Sequence, residues 1–311
     1  MPARMHFPAL VSKHSPALLF FNPEAGRAPS FLPRIERYFA SQAFPVAVVR
    51  TGSAQELQAS ARAATGNGPR LLLAMGGDGT FQALANGVAG TDAIVGIIPA
   101  GGGNDFAAAA GVPKDPIAAA QALLHGQPRP MDLLRARTAD GKVRLYAGGG
   151  GIGLDAEAAP YASGIFRHLP GTLRYVASAL SALRHFRPIE VTVEFPGGEH
   201  SPTTAQALLA GVLNTPHYGA GLRLAPEAQP DDGWLNPVLV GRLGLCELLD
   251  LLTRLVRSGD VRSPQITRMR ARRVRLSVNR AALFHGDGEI LGPAPVEIEV
   301  AWHAVQLITK K

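Results

Sequence analysis

The sequence has 311 residues, of which 46% are hydrophobic and 18% are charged, and its formal net charge is +7. This balance excludes an intrinsically disordered chain, and the length is sufficient for two domains with substantial cores. The single cysteine, Cys246, excludes an intrachain disulfide and is compatible with a reducing cytoplasm.

The first residues carry no pattern of secretion. Residues 1–21 do not show a basic segment followed by a long apolar segment and a small-residue cleavage site. No apolar run approaches the roughly 20 residues that a membrane-spanning helix needs. We therefore expect a cytoplasmic protein whose only membrane contact is peripheral, at the inner membrane face.

The excess of basic residues suits a polyanionic partner, such as a nucleotide, a nucleic acid or an anionic lipid surface. The sequence shows no zinc-finger spacing, RNA-binding aromatic signature or homeodomain-like helix, so we expect no nucleic-acid partner. The densest basic run, RMRARRVRLSV at 268–278, has two interpretations. It is either the solvated face of a strand or a surface for anionic headgroups.

The first 130 residues alternate short apolar runs with helical patterns. The predicted strands are 17–21, 46–50, 71–75 and 93–100, and the predicted helices are 30–43, 53–64 and 80–89. Ser53 and Glu56 form a capping-box arrangement at the start of the second helix. Alternation at this spacing is typical of an open, mostly parallel α/β sheet, which we assign to a first domain over residues 1–131.

The pattern of predicted elements changes after about residue 131, where alternating strand patterns and turn signals predominate. Helical patterns interrupt them at 171–186 and 244–257. We therefore predict a β-sandwich domain over residues 132–302. Its candidate strands are MDLLRAR, VRLYAGG, IEVTVEF, ALLAGVL, LNPVLV, VRLSV and VEIEV.

Four segments combine glycine with acidic or amide side chains, and each taken singly is compatible with a plain turn. They are residues 76–80, 101–105, 231–233 and 286–289. The first two follow predicted strands and precede helix-compatible segments, which is the edge of an α/β sheet where ligands bind. Glycine there allows backbone N–H groups to approach phosphate, and the positive end of a following helix points to the same place.

Neither segment matches the dinucleotide fingerprint G-x-G-x-x-G or the P-loop G-x-x-x-x-G-K-[ST], which disfavours a conventional dehydrogenase or P-loop ATPase. An acid inside a phosphate cradle requires an explanation, because like charges repel. Mg²⁺ supplies one, since a carboxylate can hold a cation that bridges to phosphate. Asp78 and Asp105 are therefore predicted to mark a Mg-nucleotide site.

Seven segments, in order along residues 17–308, resemble the diacylglycerol kinase catalytic family, which includes soluble bacterial lipid kinases and, more distantly, sphingosine and ceramide kinases. They are FNPEAG (21–26), GGDGTFQALANG (76–87), PAGGGNDFA (99–107), MDL (131–133), GIGLDA (151–156), NTPHYGAGLRLAPEAQPDDGWL (214–235) and GDGE (286–289). The pairing of GGDGT with P-x-G-x-G-N-D at this spacing is the specific part of the likeness.

The resemblance implies a Rossmann-like α/β domain of the NAD kinase/phosphofructokinase type and a C-terminal β-sandwich, with ATP in the cleft between them. It also implies that a strand at about 303–311 returns to the first domain. The implied activity is transfer of the γ-phosphoryl group of ATP to a lipid hydroxyl, with diacylglycerol as the expected acceptor and phosphatidic acid as the product. The implied partners are ATP, Mg²⁺ and a lipid met transiently at a membrane surface; a homodimer is compatible with the sequence.

By the same resemblance, one group of residues surrounds the nucleotide. They are Asn22, Gly76, Gly77, Asp78, Gly79, Thr80, Gly101, Gly103, Asn104 and Asp105. Asp287 and Glu289 match the family's acidic pair, and Glu289 is the candidate general base, or water-ordering acid, for the lipid hydroxyl. Asp232 is similar to a position that binds a structural magnesium, with backbone oxygens near Gln229 and Trp234; a plain turn aspartate is the alternative.

Three positions depart from the family pattern. Gly102 and Ala108 stand where the family usually has threonine and arginine, and Gly148 is nearest to a usual asparagine. These departures keep open a nucleotide- or lipid-binding sensor with impaired catalysis. The GGDGT turn is shared with NAD kinases, so an NAD-phosphorylating enzyme is the other alternative.

Overall fold

The computed structural model of the chain divides into two units. Unit 1 is Met1–Asp132 together with Trp302–Lys311, and unit 2 is Leu133–Ala301. The chain therefore passes from unit 1 to unit 2 after Asp132 and returns after Ala301. The structure describes residues 11–23, 27–67, 70–153, 188–218, 223–243, 247 and 263–310.

Unit 1 is built on a parallel sheet with helices between its strands. In chain order the elements are β1 Ala17–Phe21, α1 Ala28–Ser41, β2 Val46–Arg50, α2 Ala54–Ala64, β3 Leu71–Gly76, α3 Asp78–Val88, β4 Ile94–Pro99, α4 Asp105–Ala109 and α5 Pro116–His125. Parallel pairing joins the strands in the order β2-β1-β3-β4. The carboxyl-terminal strand β15 (Val296–Thr309) adds a further parallel neighbour, since Gln306 pairs with Ile94.

Packing of apolar runs and helix faces holds this sheet in place. Every residue of β3 and β4 is buried, which is usual for strands that helices cover on both faces. Helix α1 buries Leu32, Ile35 and Phe39 at helical spacing in the same core. Helix α2 begins at the expected cap, because the Ser53 hydroxyl accepts a hydrogen bond from the Glu56 N–H at 3.1 Å. These elements position the loops that follow β3 and β4.

Unit 2 is built on antiparallel pairing. Its strands are β5 Gln127–Arg137, which begins in unit 1, β6 Val143–Tyr146, β7 Gly149–Gly153, β8 Ile189–Glu194, β9 Thr203–Leu213, β10 Asn236–Gly241, β11 Ile266–Arg268, β12 Arg273–Val278, β13 Leu283–Gly286, β14 Glu289–Pro293 and the first part of β15. The strand order is β14-β13-β7-β9-β8-β12-β15, and β10 pairs with β9 and β11. Alternate side chains, such as Val191, Val193, Val274 and Leu276, enter one hydrophobic core.

The basic run at 268–278 forms contacts within its own chain. Arg273 pairs with Glu297 across the β12–β15 ladder, and Arg275 lies 3.7 Å from Glu194 of β8. The other arginines contact a carbonyl, a carboxylate and an aromatic ring: Arg268 with Leu224, Arg270 with Asp232, and Arg272 with Trp234. Of the two interpretations of this run, these contacts favour the solvated strand face, in which cross-strand acids neutralise the arginines.

Three helices differ from the sequence-based expectation, and the first of them, α1, spans Ala28–Ser41 rather than 30–43. Helix α3 begins at Asp78 rather than at residue 80, because Gly77 caps it in an extended conformation and an acidic side chain is favourable in a first helical turn. The sequence pattern did not indicate α5. The available sequence signal was Asp115, a favourable N-cap residue directly before the helix. In the structure its carboxylate accepts hydrogen bonds from the N–H groups of Ile117 and Ala118.

Differences among the strands concern element ends and three short strands, β11, β13 and β14, that the sequence pattern did not indicate. The segment 143–149, expected as one strand, forms β6 and the start of β7 with a turn between them. The hairpin of β13 and β14 was expected only as the turn GDGE, because its strands are short. The helices expected at 171–186 and 244–257 lie outside the described residues, apart from residue 247.

Candidate functional site

The first candidate site lies where β3 and β4 end in glycine-rich loops. The N–H groups of Ala100 and Gly101 donate hydrogen bonds to the Gly76 carbonyl oxygen at 2.8 and 3.2 Å, so the two loops run side by side. Gly77 then caps α3, which begins at Asp78. The amino-terminal end of an eleven-residue helix therefore adjoins exposed glycine backbone, an arrangement that favours an anion such as phosphate.

Close contacts require glycine at two positions, Gly101 where the two loops meet and Gly76 at the turn from β3 into α3. A Cβ added at Gly101 would overlap the Cα of Gly77 and would lie 3.0 Å from its nitrogen. A Cβ added at Gly76 would overlap the Thr80 side chain, 2.6 Å from its Cβ. Gly102 differs from both, since it is exposed and has open space in the Cβ direction. Contact with neighbouring atoms therefore requires glycine at 76 and 101 but not at 102.

One carboxylate links the two loops. Asp78 Oδ2 accepts a hydrogen bond from the Asn104 N–H at 2.7 Å, and Asn104 Nδ2 donates to the Gly101 carbonyl at 3.0 Å. Asn104 has the left-handed angles φ 62° and ψ 40°, which asparagine tolerates better than most residues. A Cβ added at Gly103 would lie 2.8 Å from Asp78 Oδ2, so the absence of a side chain there leaves room for the carboxylate.

The Asp78 side chain is half-buried, and its environment acts on its charge. Burial raises the pKa of the Asp78 carboxyl above its ordinary value, and hydrogen bonds from the N–H groups of Asn104, Phe106, Asp105 and Asp78 itself oppose that change without cancelling it. The ionised form is therefore less stable here than in water. A cation held by this carboxylate would favour the ionised form.

An aromatic pair joins the helices that follow the two loops. The rings of Phe81 in α3 and Phe106 in α4 are stacked, with centroids 4.8 Å apart and planes 16° apart, and both side chains are buried. Such a pair contributes about 0.5–1.5 kcal/mol beyond its burial. Sequence reasoning did not single out these residues. The available signal was a phenylalanine directly after each motif, in GGDGTF and GGGNDF.

The loop after β1 contributes to the same edge. Asn22 directly follows β1 and is half-buried. The Arg27 N–H donates a hydrogen bond to the Ala100 carbonyl at 3.3 Å, so the first loop contacts the loop after β4. The Arg27 guanidinium lies over the Phe31 ring, 5.8 Å from its centroid. Unit 1 thus brings together three of the motif segments singled out from the sequence.

The second candidate site centres on the turn between β13 and β14. Asp287 and Gly288 have φ of 51° and 85°, as the central residues of a type I′ hairpin do. Asp287 Oδ2 accepts a hydrogen bond from the Ala147 N–H at 2.6 Å, and Oδ1 accepts from the N–H groups of Gly148 and Gly149 at 2.8 and 3.2 Å. Asp287 is therefore an anchor for the loop between β6 and β7.

The carbonyl groups of that loop are held from the other side. The Asn214 N–H donates to the Gly148 carbonyl at 2.8 Å, and Asn214 Nδ2 donates to the Ala147 carbonyl at 2.9 Å. The Thr215 hydroxyl donates to the Gly148 carbonyl at 3.3 Å. Asn214 and Thr215 are fully buried and were not singled out from the sequence, although both begin the NTPHYG segment. The backbone at Gly148 is therefore fixed on both edges.

A buried tyrosine supports the same turn. The Tyr146 hydroxyl donates to the Val212 carbonyl at 3.2 Å, and its ring meets Phe284 edge-on with centroids 5.7 Å apart. Burial raises the pKa of the Tyr146 hydroxyl well above its ordinary value, and the negative charge of Asp287 adds to this effect. The hydroxyl thus remains protonated, which suits a structural donor.

Glu289 has different surroundings from Asp287, although only one residue separates them. Glu289 is the first residue of β14 and is exposed. No residue in the described part of the chain forms a hydrogen bond or an ion pair with its carboxylate. Of the acidic pair expected from the sequence, one carboxylate is therefore occupied by backbone N–H groups, and the other is exposed and has no partner among the described residues.

Asp232 contacts a cation of its own chain. Its Oδ2 accepts a hydrogen bond from Arg270 Nη2 at 2.7 Å, and its Oδ1 accepts from the Trp234 N–H at 3.0 Å. Both oxygens thus face donors, which does not fit the metal expected at Asp232. Among the described residues, no group of three or more His, Cys, Asp or Glu side chains is placed to hold a metal. A magnesium bound with ATP would take its other ligands from phosphate and water.

Comparisons with known proteins cover both units. Residues 16–136 match the family model "Diacylglycerol kinase catalytic domain", and residues 150–309 match "YegS C-terminal NAD kinase beta sandwich-like domain". The chain belongs to the diacylglycerol kinase catalytic-domain family. This finding confirms the resemblance drawn from the seven sequence segments.

Individual relatives of this diacylglycerol kinase family member match along most of its length. The diacylglycerol kinase of Bacillus subtilis (strain 168) is 27% identical over 301 residues, which cover 95% of this chain and 96% of that protein. The diacylglycerol kinase of Mycobacterium tuberculosis (strain ATCC 25618 / H37Rv) is 30% identical over 258 residues, covering 83% and 82%. The crystal structure of a diacylglycerol kinase from Bacillus anthracis str. Sterne has a TM-score of 0.71 at 21% identity and covers 95% of this chain and 97% of that one. The predicted fold class, an α/β core followed by a β-sandwich-like domain, is confirmed.

Two of the three positions that depart from the family pattern lie on the surface of unit 1, and the third, Gly148, is buried in unit 2. Gly102 and Ala108 are both exposed. Ala108 is in α4, and its N–H donates a hydrogen bond to the Asn104 carbonyl at 2.9 Å. The backbone of the loop is therefore hydrogen-bonded in this chain with glycine at 102 and alanine at 108.

The contact between the loops predicts a difference between two glycines of one loop. Gly101→Ala is expected to lower the free energy of unfolding by about 1–3 kcal/mol, because the new Cβ forces the loops after β3 and β4 apart. Gly102→Ala is the matched control and should leave stability within about 0.5 kcal/mol of wild type. Urea unfolding of both variants measures this. Equal effects of the two substitutions would contradict the close approach.

The raised pKa of Asp78 predicts a pH-dependent stability effect. Because protonation favours the folded state, ionised Asp78 lowers stability at neutral pH, and this cost disappears as the pH falls through the folded-state pKa. Asp78→Asn retains an acceptor for the Asn104 N–H, so its unfolding midpoint should equal or exceed that of wild type at neutral pH, and the difference should shrink in acid. Asp78→Ala removes the acceptor and should cost about 1–3 kcal/mol. A loss in Asp78→Asn as large as in Asp78→Ala would show that the charge itself stabilises the loops.

Proposed function

We propose that this protein is an ATP-dependent lipid kinase that transfers the γ-phosphoryl group of ATP to a hydroxyl of diacylglycerol, giving phosphatidic acid. The observation that carries the proposal is the link between the two glycine-rich loops through the Asp78 carboxylate and the Asn104 N–H, at the carboxyl ends of neighbouring parallel strands. The relatives that match the chain along most of its length are named diacylglycerol kinases, which supports the choice of acceptor.

Phosphate is proposed to bind to the glycine-rich loops of unit 1. Glycines 77, 79, 101 and 103 are exposed or half-buried and have no side chain over the backbone, Gly76 is buried beneath them, and the start of α3 supplies the positive end of a helix dipole. Asn22 and Thr80 would add a side-chain amide and a hydroxyl from the same edge. Phosphoryl transfer depends mainly on positioning and on charge neutralisation, and a fixed loop supplies the positioning.

Asp78 and Asp105 would hold the magnesium ion that accompanies ATP. The donor chemistry fits, because Mg²⁺ prefers carboxylate oxygens and commonly uses one or two of them together with phosphate and water. The raised pKa of Asp78 also fits, since a cation offsets the cost of a partly desolvated carboxylate. When bound, the ion neutralises charge on the phosphoryl group during transfer.

Glu289 is the proposed acceptor of the hydroxyl proton. In the transfer, the lipid oxygen forms a bond to the γ-phosphorus, the bond from that phosphorus to the bridging oxygen breaks, and its electron pair leaves with ADP. Glu289 takes the proton, or orders a water that does so, because its exposed carboxylate is not engaged by any described residue. Asp287 positions the turn through its bonds to the N–H groups of residues 147–149.

The acceptor sets where the protein must work. No helix in the described part of the chain is long and apolar enough to cross a membrane. Diacylglycerol resides in bilayers, so we propose a cytoplasmic protein that meets its substrate transiently at the inner membrane face. A homodimer is compatible with this scheme and is not required by it.

The function is tested with purified protein, labelled ATP, MgCl₂ and a panel of acceptors that contains diacylglycerol, sphingosine, ceramide and NAD. The expected result is labelled phosphatidic acid that depends on magnesium. A labelled product from NAD alone would favour the NAD kinase alternative. ATP binding by calorimetry without transfer to any acceptor would favour a sensor and overturn the kinase proposal.

The role of Glu289 predicts a separation of binding from turnover. Glu289→Gln should lower kcat by about 10²–10⁴-fold, because a positioned general base contributes that much, and should leave ATP affinity unchanged. Glu190→Gln, at another exposed strand residue of unit 2, is the matched control and should retain full activity. Loss of thermal stability in Glu289→Gln, or undiminished kcat, would argue against the role.

The departures at Gly102 and Ala108 predict a gain of activity. Gly102→Thr and Ala108→Arg occupy exposed positions, so neither should lower the unfolding midpoint. If these positions face the phosphates, each added side chain can donate to them, and kcat/KM should rise by roughly tenfold for about 1.4 kcal/mol of added transition-state stabilisation. Gly102→Ala, which adds no donor, serves as the control. Unchanged kinetics in both donor variants would show that this chain already neutralises the phosphates by other groups.

A further inference from the structure

Both carboxylate oxygens of Asp232, in unit 2, are engaged by donors of the same unit. Asp232 Oδ2 lies 2.7 Å from Arg270 Nη2, and Oδ1 accepts the Trp234 N–H at 3.0 Å. The Asp232 side chain is only 17% exposed, whereas that of Arg270 is 53% exposed. The carboxylate is therefore the shielded partner of the pair, and the arginine covers it.

Backbone pairing next to this contact fixes the arginine in place. Leu235 and Ala271 form an antiparallel bridge, in which the Leu235 N–H donates to the Ala271 carbonyl at 2.8 Å and the Ala271 N–H donates back at 3.0 Å. Arg270 directly precedes this bridge, and Asp232 lies three residues before its other side. The backbone bridge therefore holds the two segments that carry Arg270 and Asp232 next to each other.

An indole ring completes the arrangement. The Arg270 guanidinium lies 4.9 Å from the centroid of the Trp234 ring, and the Arg272 guanidinium lies 5.0 Å from it. The Arg272 N–H donates to Glu199 Oε1 at 3.0 Å, which fixes the backbone beside the ring. A guanidinium that stacks on an aromatic face while it bonds to a carboxylate uses both its planar faces and its donor edge.

These contacts leave no favourable place for a divalent cation at the carboxylate. Mg²⁺ binds carboxylate oxygen at about 2.0–2.1 Å and requires near-octahedral geometry. An ion at that distance from either oxygen of Asp232 would lie close to a guanidinium or would displace the donated N–H, and like charges repel strongly in a shielded setting. We propose that Arg270 replaces a metal ion as the counter-ion of Asp232, so that the turn at 231–234 is ordered without magnesium.

The consequence concerns which part of the protein needs magnesium. Unit 2 folds and remains folded in its absence, and any magnesium requirement resides with the nucleotide in unit 1. This statement does not depend on the lipid kinase activity, because its readouts are stability and fluorescence. A protein without turnover would test it equally well.

The first experiment compares thermal unfolding of the full chain in excess EDTA and in millimolar MgCl₂, without nucleotide. The wild-type midpoint is expected to be the same in both buffers. Arg270→Gln should lower the midpoint by a few degrees, since it leaves the shielded Asp232 carboxylate without its counter-ion. In the double variant with Asp232→Asn, the two losses should not add, because they remove the same interaction.

Matched controls separate this pair from an ordinary surface ion pair. Arg275 is exposed, belongs to the same basic run as Arg270 and lies 3.7 Å from Glu194 of β8. Arg275→Gln should leave the unfolding midpoint nearly unchanged. Arg270→Lys keeps the positive charge and should recover part of the loss. A lysine variant no better than Arg270→Gln, or an Arg270→Gln midpoint equal to that of wild type, would overturn the counter-ion role. A midpoint raised by MgCl₂ in wild type and not in Asp232→Asn would establish a metal site instead.

Tryptophan fluorescence gives an independent readout. The chain has two tryptophans, so Trp302→Phe leaves Trp234 as the only indole. Its emission should not change on titration with MgCl₂, and it should shift when Arg270→Gln removes the guanidinium from its face. A saturable response to MgCl₂ that Asp232→Asn abolishes would contradict the proposal.

Discussion

The hydrogen bond from the Asn104 N–H to the Asp78 carboxylate is the interaction on which the candidate nucleotide site depends. It joins two loops that belong to neighbouring strands and that the chain separates by 26 positions. The left-handed conformation of Asn104, the room left by Gly103 and the contact between Gly77 and Gly101 all serve this one bond. An acceptor at this point helps two glycine-rich loops to hold one conformation, together with the hydrogen bonds from the Ala100 and Gly101 N–H groups to the Gly76 carbonyl. The added bond matters because glycine loses more conformational freedom on folding than any other residue.

Unit 2 uses the same physical device. The Asp287 carboxylate accepts hydrogen bonds from three consecutive N–H groups and so holds the loop that includes Gly148 and Gly149. In both units an acidic residue of a family motif orders glycine-rich backbone. The acid left over in the second motif, Glu289, is exposed and unengaged by the described residues. Under the proposed function, one acid of this motif would anchor the turn and the other would accept the proton.

Several site features could be read from the sequence, and others could not. Glycine and acid at 76–80 and 101–105 predict a phosphate cradle, because local chain chemistry dictates where backbone can approach an anion. The stacking of Phe81 on Phe106 joins residues of different helices, so the sequence shows a phenylalanine after each motif but not the contact between the two rings. The pairing of Arg270 with Asp232 is likewise non-local. The family resemblance predicts a metal at Asp232 because it compares residue types along the sequence, and it does not show which side chains the fold brings next to Asp232.

The sequence by itself determined the class of the fold, the order of the motifs and the family, because strand and helix periods, glycine turns and motif spacing are properties of local stretches. Only the tertiary structure decided what each acid contacts. Asp78 and Asp287 have their carboxylates among backbone N–H groups, Asp232 has an arginine, and Glu289 has no described partner. All four side chains end in a carboxylate. They differ because folding brings to each one a different set of donors from distant parts of the chain, and the donors decide whether a carboxylate orders a loop, neutralises a cation or takes up a proton.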